Sequence, residues 1–229
     1  TGDAGGGRAY LAIPPQRNLG DFVGDRHVRD GCGDRPAVHV DGRTYSYADL
    51  RRLSNRAANA LGALGISRGD RVLLRLGTNL DCMLAFLGAV KLGAVPIPTS
   101  LMLRASEIGA ILRNSEAVAA VVAPDALDAV EAVRAETPRL RHVLLGGEGG
   151  DPARSLRALM ARDGEEATPA ATGANDPAFM VYSSGTTGEP KGVEHGHRWI
   201  IGTGAPITRA MMRLGPGAVC FQPQDWSFI

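Results

Sequence analysis

Residues 72–98 read VLLRLGTNLDCMLAFLGAVKLGAVPIP and contain a strand, a helix and a second strand in succession. The run 72–76 is apolar apart from one arginine and predicts a short buried strand. Asn79 is placed to cap a helix that runs to Leu92, and Gly93 is placed to end it. Residues 95–98 predict a second strand, limited by two prolines. This order favours two parallel strands joined by a helical crossover.

The same alternation continues on both sides of this unit. Upstream, Ser46 and Asp49 have the spacing of a capping box and precede a helix with a regular apolar face. Downstream, the periodicity predicts helix 105–114, strand 118–123, helix 125–136, strand 142–145 and a helix that opens at Asp151. The chain is therefore predicted to be an α/β protein with layered parallel sheets and flanking helices, although the strand order cannot be read from the pattern.

The composition excludes several classes of protein. The 229 residues carry 25 basic and 24 acidic side chains, so a basic surface for nucleic acid is not indicated. Hydrophobic residues make up 44% and charged residues 21%, which is ordinary globular usage. The most apolar stretch, 83–98, is interrupted by Lys91 and is too short for a membrane span.

Cysteine usage and the first thirty residues bear on the cellular compartment. Cys32, Cys82 and Cys220 are odd in number and far apart, which is typical neither of a disulfide framework nor of a metal site. The first thirty residues lack the apolar core of a signal peptide. A cytoplasmic location is therefore expected.

One loop carries the residues for chemistry. The apolar strand 179–182 runs directly into SSGTTGEPKG, residues 183–192, which hold four hydroxyl groups, three glycines and one lysine. Glycines let backbone N–H groups converge on an anion, hydroxyls add donors, and a lysine adds charge. These groups suit a polyphosphate such as that of ATP. The spacing differs from the Walker A loop, which disfavours a P-loop kinase or GTPase.

The loop 183–192 resembles the phosphate-binding signature of the acyl-adenylate-forming superfamily, which includes acyl-CoA synthetases, peptide-synthetase adenylation domains and luciferases. Three further passages look like the acyl- and aryl-CoA synthetase branch, and the resemblance covers most of residues 35 to 229. Those passages are RTYSYADL at 43–50, GDRV at 69–72 and FLGAVKLGAVPIP at 86–98.

The resemblance implies a two-step reaction. A small-molecule carboxylic acid would attack the α-phosphate of ATP, with Mg²⁺ accompanying the nucleotide, and the acyl-adenylate would then acylate coenzyme A. Lys191 would be the catalytic cation, an electrostatic clamp on the phosphates. The nucleotide would be bound by Lys191 together with Ser183, Ser184, Gly185, Thr186, Thr187 and Gly188.

The resemblance also implies an incomplete enzyme. Residues 1–229 would form part of the large N-terminal domain of the adenylate-forming fold, without the small C-terminal domain and its separate lysine. The later nucleotide motifs of the family are not in this sequence either. The chain alone is therefore expected to be inactive. Small-molecule ligands are the expected partners, and the parent enzyme could also form a homo-oligomer.

Three residues after the loop are candidates for the substrate pocket. His195 has a position that relatives use near the nucleotide or acyl group, although a structural role is equally open for His195 and for His197. Asp225 and Trp226 resemble a segment that precedes the pocket-forming helix, although core packing is an open alternative for Trp226. No Cys or acid pair accompanies the histidines, so no metal site is predicted. A helix from 197 towards 213 and a strand at 218–221 are also expected.

Two alternatives to the ligase stay open. An adenylation domain could pass its acyl group to a carrier protein instead of coenzyme A. A non-catalytic module could bind nucleotide through the same loop. The sequence does not say which carboxylic acid would be the substrate.

Overall fold

The computed structural model describes residues 2–4, 8–10, 12–184, 190–204, 206–222 and 224–226. The strands in these ranges are β1 (Gly2–Ala4), β2 (Arg8–Tyr10), β3 (Pro36–Val40), β4 (Arg43–Ser46), β5 (Arg71–Arg75), β6 (Val95–Pro98), β7 (Ala119–Val122), β8 (His142–Leu145), β9 (Pro177–Ser184) and β10 (Pro190–Gly196). The α-helices are α1 (Arg26–Arg29), α2 (Tyr47–Ala63), α3 (Leu80–Leu92), α4 (Ala105–Ser115), α5 (Leu127–Glu131) and α6 (Leu156–Met160).

A four-stranded parallel sheet forms the centre of the fold. Its strand order is β6-β5-β7-β8, and Val72 on β5 pairs with Pro96 on one side and Ala119 on the other. The remaining strands form the antiparallel pairs β1-β2, β3-β4 and β9-β10. The prediction of an α/β protein with a parallel sheet is confirmed.

Alternate side chains of the sheet enter two separate cores. Val72 and Leu74 pack into a cluster with residues of α2, α3 and α6, whereas Leu73 packs into a second cluster with α4. This alternation follows from the two-residue repeat of a strand, and it buries both faces of the sheet. The result is the predicted arrangement of helices flanking a sheet.

The predicted helix boundaries are formed by the expected groups. The N–H of Asp49 donates to Ser46 Oγ, and the N–H of Ser46 donates to Asp49 Oδ2, both at 3.1 Å. The N–H of Cys82 donates to Asn79 Oδ1 at 2.9 Å at the start of α3. Gly93 ends α3 with φ of +76°, which a residue with a side chain rarely adopts.

Two expected helices are broken. The segment 125–136 forms α5 between two 3₁₀ turns, Pro124–Ala126 and Arg134–Glu136, and none of the three pieces has a side-chain cap. The segment after His197 forms two π-helical turns, Ile200–Gly204 and Ile207–Met211. Glycines at 202 and 204 and a proline at 206 disfavour a continuous helix there.

The expected strand at 218–221 is absent from the structure. Val219 and Phe221 are 76% and 85% exposed, and no strand in the part of the chain described here pairs with them. A strand needs a partner for its backbone groups, so apolar composition alone was insufficient. No described helix is long and apolar enough to cross a bilayer.

Candidate functional site

The two arms of the β9-β10 hairpin carry the ends of the predicted phosphate loop. The register pairs Ser183 with Lys191 and Ser184 with Pro190. Directly opposed residues of an antiparallel pair project to the same face, so Ser183 and Lys191 flank the loop from one side. Four of the predicted binding residues lie outside the described residues: Gly185, Thr186, Thr187 and Gly188.

The two flanking side chains are available to an anion. Ser183 and Lys191 are both exposed, and no ion pair to Lys191 occurs within the described ranges. A hydroxyl donor beside an ammonium group is a donor set that fits phosphate oxygens. What the structure shows of the loop therefore fits a polyphosphate chemically.

His195 lies in an aromatic cluster at the other end of the hairpin. It is paired with Phe179 in the register, and the two rings stack at 4.7 Å with an angle of 17°. Trp199 meets His195 edge-on at 6.0 Å and Phe179 at 5.4 Å. The five steps along the chain from Phe179 to Ser184 span about 16 Å of extended chain, so this cluster and the loop lie at opposite ends of β9.

His197 is a buried structural residue. Its ring is fully buried, and its Nδ1 accepts a hydrogen bond from the N–H of Leu19 at 2.9 Å. Burial lowers the pKa of His197 to about 4, so the ring is neutral near pH 7. The structural alternative holds for this histidine, which joins the end of the hairpin to an N-terminal segment.

Trp226 lines an apolar cavity of about 620 Å³. Phe179 and Trp199 form another part of its wall, which connects the cavity with the aromatic cluster around His195. Its lining also includes Phe22 and Phe86. Both open interpretations of Trp226 therefore have support, since it packs against the core and also borders a space of ligand size.

The segment that carries Asp225 and Trp226 is attached to the start of α3. The N–H of Trp226 donates to Thr78 Oγ1 at 3.3 Å, and Thr78 Oγ1 donates to the carbonyl of Gln224 at 3.4 Å. Cys82, on the first turn of α3, also lines the cavity. Burial, followed by the charges of Asp225 and Asp81, raises the pKa of Cys82 to about 12.

A protein-held metal is not evident in the ranges that the structure covers. They contain no group of three or more His, Cys, Asp or Glu side chains placed to hold a metal ion. Mg²⁺ often binds through one or two carboxylates plus substrate phosphates. The Mg²⁺ expected from the resemblance stays a prediction.

Apart from Trp226, the aromatic residues of the cavity wall could not be predicted from the sequence. Phe86, Phe179 and Trp199 meet only through the hairpin register and the packing of α3 against β9. Tyr182 and Asn114, which contact each other beside the loop, were also missed, because they are 68 positions apart in the sequence. Only the strand assignment at 179–182 could have directed attention to Tyr182.

Comparisons with known proteins show which family this chain resembles. The sequence model described as AMP-binding enzyme matches residues 25–229. A benzoate–CoA ligase of Thauera aromatica is 34% identical over 212 residues, which are 92% of this chain and 40% of that protein. A long-chain-fatty-acid–CoA ligase of Mycobacterium tuberculosis is 37% identical over 153 residues, which are 66% of this chain and 29% of that protein.

Solved structures give the same result. The anthranilate CoA ligase AuaEII in complex with anthranoyl-AMP has a TM-score of 0.77 and 28% identity over 81% of this chain and 36% of its own. The chain thus spans between 29% and 40% of the length of these proteins. The predicted resemblance is confirmed, and its fold is the one expected for part of an adenylate-forming enzyme. Since the family match extends over nearly the whole chain, this chain belongs to the AMP-binding enzyme family.

Proposed function

We propose that the chain is part of an ATP-dependent carboxylate–CoA ligase, which activates an organic acid as acyl-AMP and transfers the acyl group to coenzyme A. The observation that carries the proposal is the pairing of Ser183 with Lys191 at the base of the loop. It presents a hydroxyl and an ammonium group on one face, close in sequence to the Gly- and Thr-rich residues 185–188. The CoA ligases similar to this chain support the same reaction class.

Each loop residue has a role that follows from its chemistry. Lys191 would neutralise charge on the phosphates while a carboxylate oxygen attacks the α-phosphorus and pyrophosphate leaves. The hydroxyl groups of Ser183, Ser184, Thr186 and Thr187 would donate hydrogen bonds to phosphate oxygens. Glycines 185 and 188 would let the backbone approach the nucleotide.

The second step would use the thiol of coenzyme A. Its sulfur would attack the acyl carbonyl carbon, the bond to AMP would break, and the thioester would form. None of the described residues is assigned to this step. We infer that residues 1–229 are part of a larger N-terminal domain, and that the chain by itself does not turn over.

The substrate would be a small-molecule carboxylic acid. We propose that the apolar cavity beside Trp226 holds its hydrocarbon part, with His195 supporting the wall through Phe179 and Asp225 lying next to Trp226. The similar proteins include aromatic and long-chain aliphatic ligases, so the class of acid stays open. The three free cysteines support the expected cytoplasmic location.

Acid-dependent exchange of pyrophosphate into ATP tests the proposal in the full-length protein. A panel of short, long and aromatic acids would identify the substrate class. Lys191→Ala should lower exchange about 100-fold, because the transition-state charge loses its cation. The control is Arg198→Ala, which removes an exposed positive charge just beyond the other end of β10 and should keep exchange within twofold of the wild type.

The two alternatives predict different results. An adenylation domain would support exchange but would acylate a carrier protein rather than free coenzyme A. A non-catalytic module would bind ATP without supporting exchange for any acid. Either result in the full-length protein would contradict the ligase proposal.

A further inference from the structure

We propose that Tyr182 and Asn114 are positioning residues for the phosphate loop: the Tyr182 ring crosses the side-chain-free Gly192 and is bonded to Asn114 on helix α4. This inference rests on the proposed function, since it assigns how the same loop is held. Neither residue would touch ATP. Both would act by fixing the direction in which the hairpin presents Ser183 and Lys191.

Tyr182 is the last residue before the loop, and Gly192 is the last residue of the loop. The register pairs these two residues directly, next to the Ser183–Lys191 pair. Tyr182 is half-buried and packs against the core cluster that contains the inner residues of α4. It therefore links the base of the loop to the helix layer.

Gly192 makes room for the tyrosine ring. A Cβ atom at this position would lie 2.9 Å from Cζ of Tyr182 and 2.9 Å from Sδ of Met180. Contacts this short do not occur between real side chains, so any larger residue would displace one of the two. The absence of a side chain at 192 lets the ring cross the hairpin toward α4.

The phenol group completes the link. Oη of Tyr182 donates a hydrogen bond to Oδ1 of Asn114 at 2.6 Å, near the C-terminal end of α4. Burial raises the pKa of Tyr182, so the phenol keeps its proton near neutral pH and can donate.

The start of β9 is held by the buried residues Phe179 and Met180, and the link would hold the end of the hairpin that lies next to the loop. Under the proposed function, this end of the hairpin must hold the donors of Ser183 and Lys191 within hydrogen-bond distance of phosphate oxygens. Small misplacements of such groups reduce binding and rate strongly. Loss of the Tyr182–Asn114 bond should therefore weaken nucleotide binding more than it weakens the fold.

The test uses the full-length protein with Tyr182→Phe, Asn114→Ala and the double variant. The matched control is Tyr45→Phe, which removes a phenol hydroxyl from the separate β3-β4 pair. The dissociation constant for ATP and the KM values for ATP and acid in pyrophosphate exchange are measured. We expect each single variant to raise the dissociation constant and the KM for ATP about three- to tenfold, which is the net effect of one hydrogen bond. The KM for the acid should stay within twofold of the wild type.

In the double variant, the dissociation constant and the KM for ATP should rise no further than in the more strongly affected single variant, because both changes break the same bond. Gly192→Ala should raise the dissociation constant and the KM for ATP at least as much, because its Cβ displaces the Tyr182 ring. Unchanged ATP values in Tyr182→Phe, or equal shifts in the ATP and acid KM values, would overturn the positioning role while the wild type still exchanges. A wild type that binds no ATP would instead overturn the proposed function, and this inference with it.

Discussion

The ammonium nitrogen of Lys91 lies 2.6 Å from Oδ1 of Asp25, and the two side chains are 1% and 7% exposed. Lys91 donates a second bond of 2.6 Å to Oδ1 of Asn55 on α2. Burial lowers the pKa of Lys91 and raises that of Asp25, and each partner's charge opposes that shift. Lys91 thus connects α3 with the segment before α1, through Asp25, and with α2, through Asn55.

Removing one partner of this pair should destabilise the protein strongly. Asp25→Ala leaves a buried ammonium group without its anion, and we expect a loss of about 3–5 kcal/mol in the free energy of unfolding. Adding Lys91→Met should recover much of that loss, because the uncompensated charge is gone. Urea unfolding measures both variants.

The control for this prediction is the surface pair Arg113–Glu136, which has a similar distance of 2.7 Å but side chains that are 47% and 64% exposed. Glu136→Ala should cost at most about 1 kcal/mol. Equal effects of Asp25→Ala and Glu136→Ala would contradict the importance of burial.

Gly88→Ala should destabilise the protein although alanine favours helices. A Cβ at 88 on α3 would lie 2.8 Å from Cβ of Ala57 and 2.8 Å from the backbone nitrogen of Ala58 on α2. Overpacking of this kind costs about 1–3 kcal/mol, which exceeds the gain of about 1 kcal/mol in helix propensity. Thermal melting should show a lower Tm.

Gly62→Ala is the matched control for Gly88→Ala. Its Cβ would meet only Cδ2 of Leu92 at 3.5 Å, an ordinary contact, at a position inside α2. We expect unchanged or higher stability, by up to about 1 kcal/mol. A stabilising Gly88→Ala would show that α2 and α3 separate easily.

Local features of the fold were predictable, and pairing was not. The caps at Ser46 and Asn79 and the stop at Gly93 depend on residues within a few positions of one another. The order β6-β5-β7-β8 depends on contacts between distant segments, which apolar runs do not specify. For the same reason the run at 218–221 looked like a strand but has no partner in the described chain.

The site also contains residues that local sequence identifies and residues that only distant contacts explain. The residues of the phosphate loop are recognisable because their chemistry is contiguous in sequence. His197 could not be assigned, because the group that fixes it is the N–H of Leu19, 178 positions away. His195 and His197 are two positions apart in the sequence, yet His195 is stacked on Phe179 and His197 is buried against the N-terminal segment.

Cysteine reactivity should follow burial. Cys220 is exposed, whereas Cys82 is buried with its pKa raised to about 12. Iodoacetamide at pH 8 should therefore modify Cys220 in the folded protein and leave Cys82 untouched until urea is added, since only the thiolate reacts. Peptide mass mapping over time distinguishes the two. Equal rates for both thiols in the folded protein would mean that the cavity wall around Cys82 opens readily.

The pH dependence of stability should report the buried ring of His197. Its pKa is about 4 in the folded protein against an ordinary value of 6.5, so between these values the unfolded chain binds more protons. Stability from this group is therefore complete above pH 6.5 and is lost as the pH falls towards 4, by up to about 3 kcal/mol.

His197→Asn keeps an acceptor for the N–H of Leu19 but does not titrate. The variant should be less stable at pH 7, because ring packing is lost, and its unfolding free energy should fall less between pH 6.5 and 4. If both proteins lose the same free energy over that interval, the ring is not held in its neutral form by the fold.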